Sequence, residues 1–331
     1  MDNNPTQLLL FDYLKSAVPA HVSFVDEIAG LLGISNDSAY RRIRGEKPIS
    51  LDEVQILCNN YKVSMDQLLN LKNNTVLFSG NRVDHVSFRF GSYLQDITDN
   101  LLLFKTFKNA QIYFFNKDIP IFHFMQFPEL SAFKFFFWKR TLIGYPELAR
   151  QKFNGEANMA TIGRAENIIK LYTEIPSTEI WTEESIHVTI RQIEFYRHTN
   201  IFSSNELILQ VYTQLEELLN HLELQAEAGC KNIYNQPTKP SGAAYHVYIN
   251  ECLLGDNTIF VKGHDRQIAY LNHNGLNFMG TQDNDFCDYT LKNLQNIISK
   301  STYISLVGEK ERGMFFNNLR EKIHQRKKGL V

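Results

Sequence analysis

The sequence predicts a multidomain protein that is mainly α-helical, with an α+β part towards its end. In residues 1–72, short apolar stripes recur at helical spacing and follow residues that typically cap helices. Longer helical patterns fill residues 147–228. Past a segment with two prolines and a glycine at 235–242, short strand patterns alternate with helices. We therefore expect three parts, at residues 1–72, 73–235 and 236–331.

Residues 1–72 predict five short helices. Leu10 and Leu14 mark the first, and Ser23 is placed to cap the second. Gly33 supplies a turn, and Ser35 is placed to cap the third helix. The last two helices each begin with a capping box, in which a serine and the residue three positions later satisfy each other's amides. These boxes are Ser50-Leu-Asp-Glu53 and Ser64-Met-Asp-Gln67.

The third helix has an unusual distribution of polar side chains. Ala39 and Ile43 are four residues apart and are expected to face the core. That orientation turns a polar and basic set outward: Asn36, Asp37, Ser38, Tyr40, Arg41, Arg42 and Arg44.

This stretch resembles the helix-turn-helix domains of the lambda repressor/Cro type, which include the XRE-like bacterial regulators. The resemblance covers about the first 72 residues. It rests on Ala29, Gly33-Ile34-Ser35, the basic end Arg41-Arg42-Ile43-Arg44-Gly45, and the helix starts Ile49-Ser50-Leu51 and Val63-Ser64-Met65. The sequence departs from the family pattern at Arg42, where the second core-facing apolar residue is usual and where Ile43 follows instead.

The resemblance implies that the third helix enters the major groove of double-stranded DNA. Asn36 and Arg41 are the preferred base readers, since Asn pairs with adenine and Arg with guanine. Phosphate contacts fall to Arg42, Arg44 and Lys47. The full expected interface is Ser35, Asn36, Asp37, Ser38, Tyr40, Arg41, Arg42, Arg44 and Lys47.

Charge limits the strength of this interaction. The chain of 331 residues has a net charge of −2, which excludes a generally polyanion-binding surface. Acidic side chains slightly outnumber basic ones in residues 1–72, and only residues 41–47 are basic. Few phosphate contacts are therefore expected, and a homodimer would be needed for useful affinity.

The remaining sequence predicts a helical middle region and a small α+β unit resembling sensor domains in size and order of elements. An aromatic β-hairpin is expected from Gln111–Asn116 and Ile119–Phe124. Helices follow at about 158–174, 182–199 and 204–228, the last with a capping box at Ser203-Ser-Asn-Glu206. Its seam of Leu207, Val211, Leu215, Leu218 and Leu222 is expected to pack within the subunit, with pairing to a second copy as the alternative.

No sequence motif indicates catalysis, a metal or a cofactor. Phosphate-binding loops of the GxxxxGK[ST] type, GxSxG elbows and HExxH pairs are absent, and the four cysteines form no CxxC pair. Charged residues interrupt the aromatic-rich stretch at 104–138, so we expect no membrane span and a cytoplasmic protein.

The sequence therefore favours a sequence-specific transcriptional regulator whose C-terminal part dimerises, senses a small-molecule effector, or does both. The main alternative is a protein-interaction adaptor or signalling module with a helical N-terminal domain that does not bind DNA. A single-strand or RNA binder using Tyr40 and the Phe-rich segment is a third reading, but the aromatics are not interleaved with basic residues as that mode prefers.

Overall fold

The fold is known from a computed structural model of the chain. It describes residues 5–18, 23–61, 63, 65, 75–80, 83–156, 159–236, 242–253 and 255–330. The chain forms two compact units, Met1–Leu77 (unit 1) and Phe78–Val331 (unit 2).

Unit 1 contains four described helices: α1 (Pro5–Ala17), α2 (Phe24–Leu32), α3 (Asn36–Ile43) and α4 (Leu51–Tyr61). Their apolar stripes meet in one core, which contains Leu10, Phe11, Leu14, Ile28, Ala29, Ala39 and Leu57. Most of the expected fifth helix and the capping box at Ser64 lie outside the described residues.

Unit 2 is built around a seven-stranded mixed sheet. The strands are β1 (Gln111–Phe115), β2 (Ser177–Trp181), β3 (Tyr245–Ile249), β4 (Thr258–Lys262), β5 (Gln267–His273), β6 (Asn277–Thr281) and β7 (Thr302–Tyr303). Their order is β6-β5-β4-β1-β2-β3-β7. The three strands β1, β2 and β3 run parallel, and all other pairings are antiparallel.

The helices of unit 2 supply the crossovers between the parallel strands and cover both faces of the sheet. They are α5 (Phe90–Lys105), the helical turn α6 (Ile121–Phe124), α7 (Pro128–Phe137), α8 (Met159–Thr173), α9 (His187–His198), α10 (Asn205–Ala228), α11 (Asn284–Ile298) and α12 (Glu309–Lys327). A π-helical segment, Trp138–Ile143, continues α7, and a 3-10 turn follows at Pro146–Leu148.

The strand residues alternate between two hydrophobic clusters, as the pleat requires. On β1, Ile112 and Phe114 join the larger cluster, which also takes in apolar residues of α5 to α10 and of α12. Phe115 and Ile180 join the smaller cluster on the opposite face, together with Leu291 and Leu294 of α11. The sheet is therefore the middle layer of a three-layer unit.

Two expectations for this region are wrong. Ile119–Phe124 is not the second strand of a hairpin, because Pro120 precedes the helical turn α6 and β1 pairs with the distant strands β2 and β4. Residues 236–331 are not a separate α+β unit, because β3 to β7 complete the same sheet as β1 and β2. Long-range strand pairing decided both points.

Helix α10 agrees closely with the sequence. The seam from Val211 to Leu222 is buried in the larger cluster, which confirms packing within the subunit. Gly229 ends the helix with a φ of 63°, as expected of a glycine at this position. The N-cap is Ser204, which accepts from the backbone N–H of Leu207, so the helix begins one residue later than the capping box expected at Ser203-Ser-Asn-Glu206.

Glu179 on β2 is a buried carboxylate surrounded by four hydrogen-bonding side chains. Its Oε1 accepts from the Tyr172 hydroxyl at 2.7 Å and lies 2.8 Å from Nε2 of His123. Its Oε2 accepts from Nε1 of Trp181 at 2.8 Å and from the Tyr245 hydroxyl at 3.1 Å. Burial alone would raise the pKa of Glu179, but attraction and hydrogen bonding by His123 and the bonds from Tyr172 and Trp181 lower it to about 2.

We predict that Glu179→Gln destabilises unit 2 in a pH-dependent way. The pKa of Glu179 falls from its ordinary 4.5 to about 2 on folding. This contributes about 3 kcal/mol that is present above pH ~4.5 and is lost as the pH falls towards ~2. The difference in unfolding free energy between wild type and variant should therefore shrink on acidification. Urea unfolding followed by tryptophan fluorescence measures it, since Trp138 and Trp181 both lie in unit 2.

The matched control is Glu227→Gln, at an exposed position of α10. It should change the unfolding free energy by less than about 0.5 kcal/mol, both above pH ~4.5 and after acidification. An equal effect of the two substitutions would contradict the role assigned to Glu179.

Candidate nucleic-acid interface

The turn between α2 and α3 has the geometry that the sequence predicts. Gly33 ends α2 in the left-handed region, with a φ of 62°. The next backbone N–H, of Ile34, donates to the carbonyl of Ala29 at 3.0 Å. Ser35 caps α3 by accepting from the N–H of Ser38 at 3.3 Å. The turn and the start of α3 are thus fixed by local interactions.

Arg42 lies on the inner side of α3, which corrects its expected role as an outward phosphate contact. The residue is 7% exposed. Its Nη2 donates to Oε1 of Glu53 at 2.6 Å, and its Nε donates to Oε2 of the same carboxylate at 3.0 Å. Its Nη1 donates to the carbonyl of Ser38 at 3.2 Å. A two-pronged ion pair with α4 therefore occupies the position that an apolar residue would fill.

Glu53 serves two purposes on α4. It completes the predicted capping box, because its Oε2 accepts from the N–H of Ser50 at 2.9 Å and its own N–H donates to Oγ of Ser50 at 3.2 Å. The same carboxylate receives the Arg42 guanidinium. Burial tends to raise the pKa of Glu53, but the bonds from Arg42 and Ser50 outweigh it and lower the pKa. The capping interaction thus holds the carboxylate in place for Arg42.

Gln7 on α1 fixes the segment that follows α3. Its side chain is buried, and its Nε2 donates to the carbonyls of Arg42 at 2.7 Å and Lys47 at 2.8 Å. Its Oε1 accepts from the N–H of Ile49 at 3.0 Å. The loop that carries the last basic residues is therefore attached to α1.

The other basic residues at the far end of α3 and in the loop after it are exposed. Arg41, Arg44 and Lys47 face solvent, and Tyr40 is 49% exposed. The guanidinium of Arg44 lies 5.5 Å from the centre of the Tyr40 ring and 3.4 Å from a carboxylate oxygen of Glu46. This surface can offer cations to phosphates and an aromatic face to a sugar or base.

The first turn of α3 presents the smaller polar residues. Ser35, Asn36 and Asp37 are exposed, and Ser38 is half-buried. Nδ2 of Asn36 donates to Oδ1 of Asp26 on α2 at 2.6 Å. Two-point pairing with adenine uses the carbonyl oxygen of an Asn side chain and one of its two N–H donors, so the bond to Asp26 leaves Asn36 the groups that this pairing needs.

The structure thus brings eight of the nine expected interface residues onto one short helix and its adjoining loop, and it withdraws Arg42. Sequence reasoning missed Gln7, Asp26 and the second role of Glu53. A signal existed only for Glu53, because an arginine at an apolar position of the pattern requires a nearby carboxylate. Gln7 and Asp26 carry no comparable local signal.

Residues 14–88 match the family model of the BetR domain. This domain is a helix-turn-helix-like DNA-binding domain, and the match contains the α2-turn-α3 segment. No curated protein and no solved structure matches the chain.

Two further observations concern the described residues only. None of their helices combines the length and apolarity that a membrane crossing requires. They also contain no group of three or more His, Cys, Asp or Glu residues positioned to hold a metal ion.

We predict that Arg42→Ala loosens unit 1, whereas Arg41→Ala does not. Removing Arg42 leaves the mostly buried Glu53 carboxylate without its cation, at a cost of about 2 kcal/mol. Arg41 is exposed and donates no side-chain hydrogen bond to any described residue. Hydrogen exchange in the full chain, followed on peptides from residues 24–61, measures the difference. Exchange that is equally fast in both variants would contradict the structural role of Arg42.

Proposed function

We propose that the chain is a sequence-specific, DNA-binding transcriptional regulator. In this proposal α3 reads the major groove, and unit 2 provides dimerisation, effector sensing or both. The observation that carries the proposal is the exposed face of α3 within a segment that matches a DNA-binding domain. The proposal contains no catalytic step.

The contacts divide into two kinds. Arg44 and Lys47 lie at the end of α3 and in the following loop, where they suit phosphates and would position the domain. Arg41 and Asn36 project from the helix and suit base edges, guanine for Arg41 and adenine for Asn36. Asp37 lies in the first turn of α3, where its negative charge interacts favourably with the positive end of the helix dipole.

Because Arg42 is turned inward, the interface loses one expected phosphate contact, and dimerisation becomes more important to the proposal. Three basic side chains remain exposed between residues 41 and 47, and Arg44 shares its charge with Glu46. Each neutralised phosphate adds only a modest, salt-dependent increment to the free energy of DNA binding. One copy of unit 1 would therefore bind DNA weakly. Two copies on one DNA face would combine their increments and read half-sites about 34–36 Å apart.

Selection from random duplex DNA by the full-length protein tests the proposal. The expected product is an enriched motif with two related half-sites whose centres are about 10 base pairs apart. A single half-site would remove the dimer from the proposal. The absence of any enriched motif would refute DNA reading and favour a protein-interaction module.

The paired substitution Arg41→Ala and Arg44→Ala should weaken binding to the selected duplex by about tenfold to a hundredfold, because a base contact and a phosphate contact are lost. Fluorescence anisotropy with labelled duplex measures the affinity. Lys15→Ala is the matched control, since it removes an exposed cation of unit 1 outside α3 and should change the affinity less than about twofold. Equal losses from both changes would contradict the assigned surface.

A further inference from the structure

Unit 2 contains a groove that the proposed DNA contacts do not use. Helix α7, helix α8 and the segment 231–236 form its walls, and its volume is about 940 Å³. Small-molecule sites in proteins commonly have volumes of about 300–1,000 Å³. We call this feature the α7–α8 groove.

The floor of the α7–α8 groove is apolar. Met125, Phe135, Ala165 and Ile169 line it, and each is 4–6% exposed. Ile162 stands at the rim and is 36% exposed, although it is a large apolar residue. An apolar molecule in the groove would contact this floor and cover the exposed part of Ile162.

Two polar groups of the lining have unused hydrogen-bonding capacity. Ser131 on α7 is 8% exposed, and its hydroxyl makes no hydrogen bond with any residue that the structure describes. Oε1 of Gln126 accepts from the N–H of Tyr234 at 2.8 Å, which fixes one wall. Its Nε2 has no acceptor among the described residues. The Ser131 hydroxyl and the Gln126 amide are therefore both able to donate to an acceptor atom of a bound molecule.

The groove lining contains equal numbers of acidic and basic side chains. Glu166 and Lys170 lie one turn apart on α8, and Glu174 is paired with Lys105.

The fourth charged side chain, Lys231, is directed towards the protein. Its Nζ donates to the carbonyls of Tyr172 at 3.1 Å and Ile175 at 2.6 Å, and it lies 3.3 Å from the centre of the Tyr172 ring. Burial lowers the pKa of Lys231, while Glu179 acts in the opposite direction. The two acidic and two basic side chains of the lining therefore leave the groove without a net charge that would attract an ion.

We propose that the α7–α8 groove binds an uncharged, mainly apolar organic molecule that carries an oxygen acceptor such as a carbonyl. The apolar body lies on Phe135, Ala165 and Ile169, and the oxygen accepts from Ser131 and Gln126. As the site of an effector, this inference rests on the proposed regulatory function, but the binding itself does not.

Titration of the full-length protein with Nile red, an uncharged dye with a carbonyl oxygen, tests the proposal by fluorescence. Saturable binding is expected. Thr173→Trp fills the groove from α8 and should weaken binding at least tenfold. Ser131→Ala removes one hydrogen bond and should weaken it by about fivefold. Ile162→Trp adds bulk at the exposed rim and should also weaken it, which provides a second blocking variant if Thr173→Trp does not fold.

The control is Phe195→Ser, which removes an apolar side chain, 50% exposed, on α9 outside the groove. It should leave the affinity for Nile red unchanged. The anionic dye 1-anilinonaphthalene-8-sulfonate should bind at least tenfold more weakly than Nile red.

No saturable binding, equal affinity of Phe195→Ser and the groove variants, or a preference for the anionic dye would overturn the proposal. The titration contains no DNA, so its failure would leave DNA reading untouched. Conversely, a protein that selects no duplex motif would still bind the dye if the groove site is real.

Discussion

The ion pair between Arg42 and Glu53 sets the rotation of α3 and therefore decides which side chains the protein can present to a ligand. With Arg42 held inside by both oxygens of the carboxylate, its neighbours Tyr40, Arg41 and Arg44 turn outward. An apolar residue in this place would also fill the core, but it would not fix the angle of the helix so narrowly. A buried pair of this kind adds little net stability, because desolvation offsets attraction, and its main contribution is geometric.

Unit 2 uses buried ions in a similar way. The carboxylate of Glu179 holds together β2, β3, α6 and α8 through four donors. The fully buried Lys134 of α7 donates to Asp118, Thr189 and Gln192, at 2.9, 3.1 and 2.9 Å, and so connects α7 to α9 and to the loop after β1. Each ion is surrounded by directional partners, as burial requires. Such contacts select one arrangement of the elements among the many that a mainly apolar core would tolerate.

The two proposed sites differ in the chemistry that they offer. The α3 surface is exposed, short and cationic, and its side chains suit a polyanion with readable edges. The α7–α8 groove is concave, apolar and without net charge, and it suits a small molecule that water would otherwise surround. Together the two proposals would give one chain two recognition surfaces with separate requirements, which is the division of labour that regulation by a small molecule needs.

The sequence by itself determined the local structure. Gly33 and Gly229 end their helices, and Ser35 and Ser50 begin theirs, because neighbouring residues control these features. Tertiary structure alone decided the inward direction of Arg42, the replacement of the expected hairpin by parallel pairing of β1 with β2, and the union of residues 111–303 in one sheet. Each of these depends on a partner far along the chain: Glu53 is 11 residues from Arg42, and β2 begins more than 60 residues after β1. Periodicity and capping contain no information about such partners, because they report only what a residue and its near neighbours prefer.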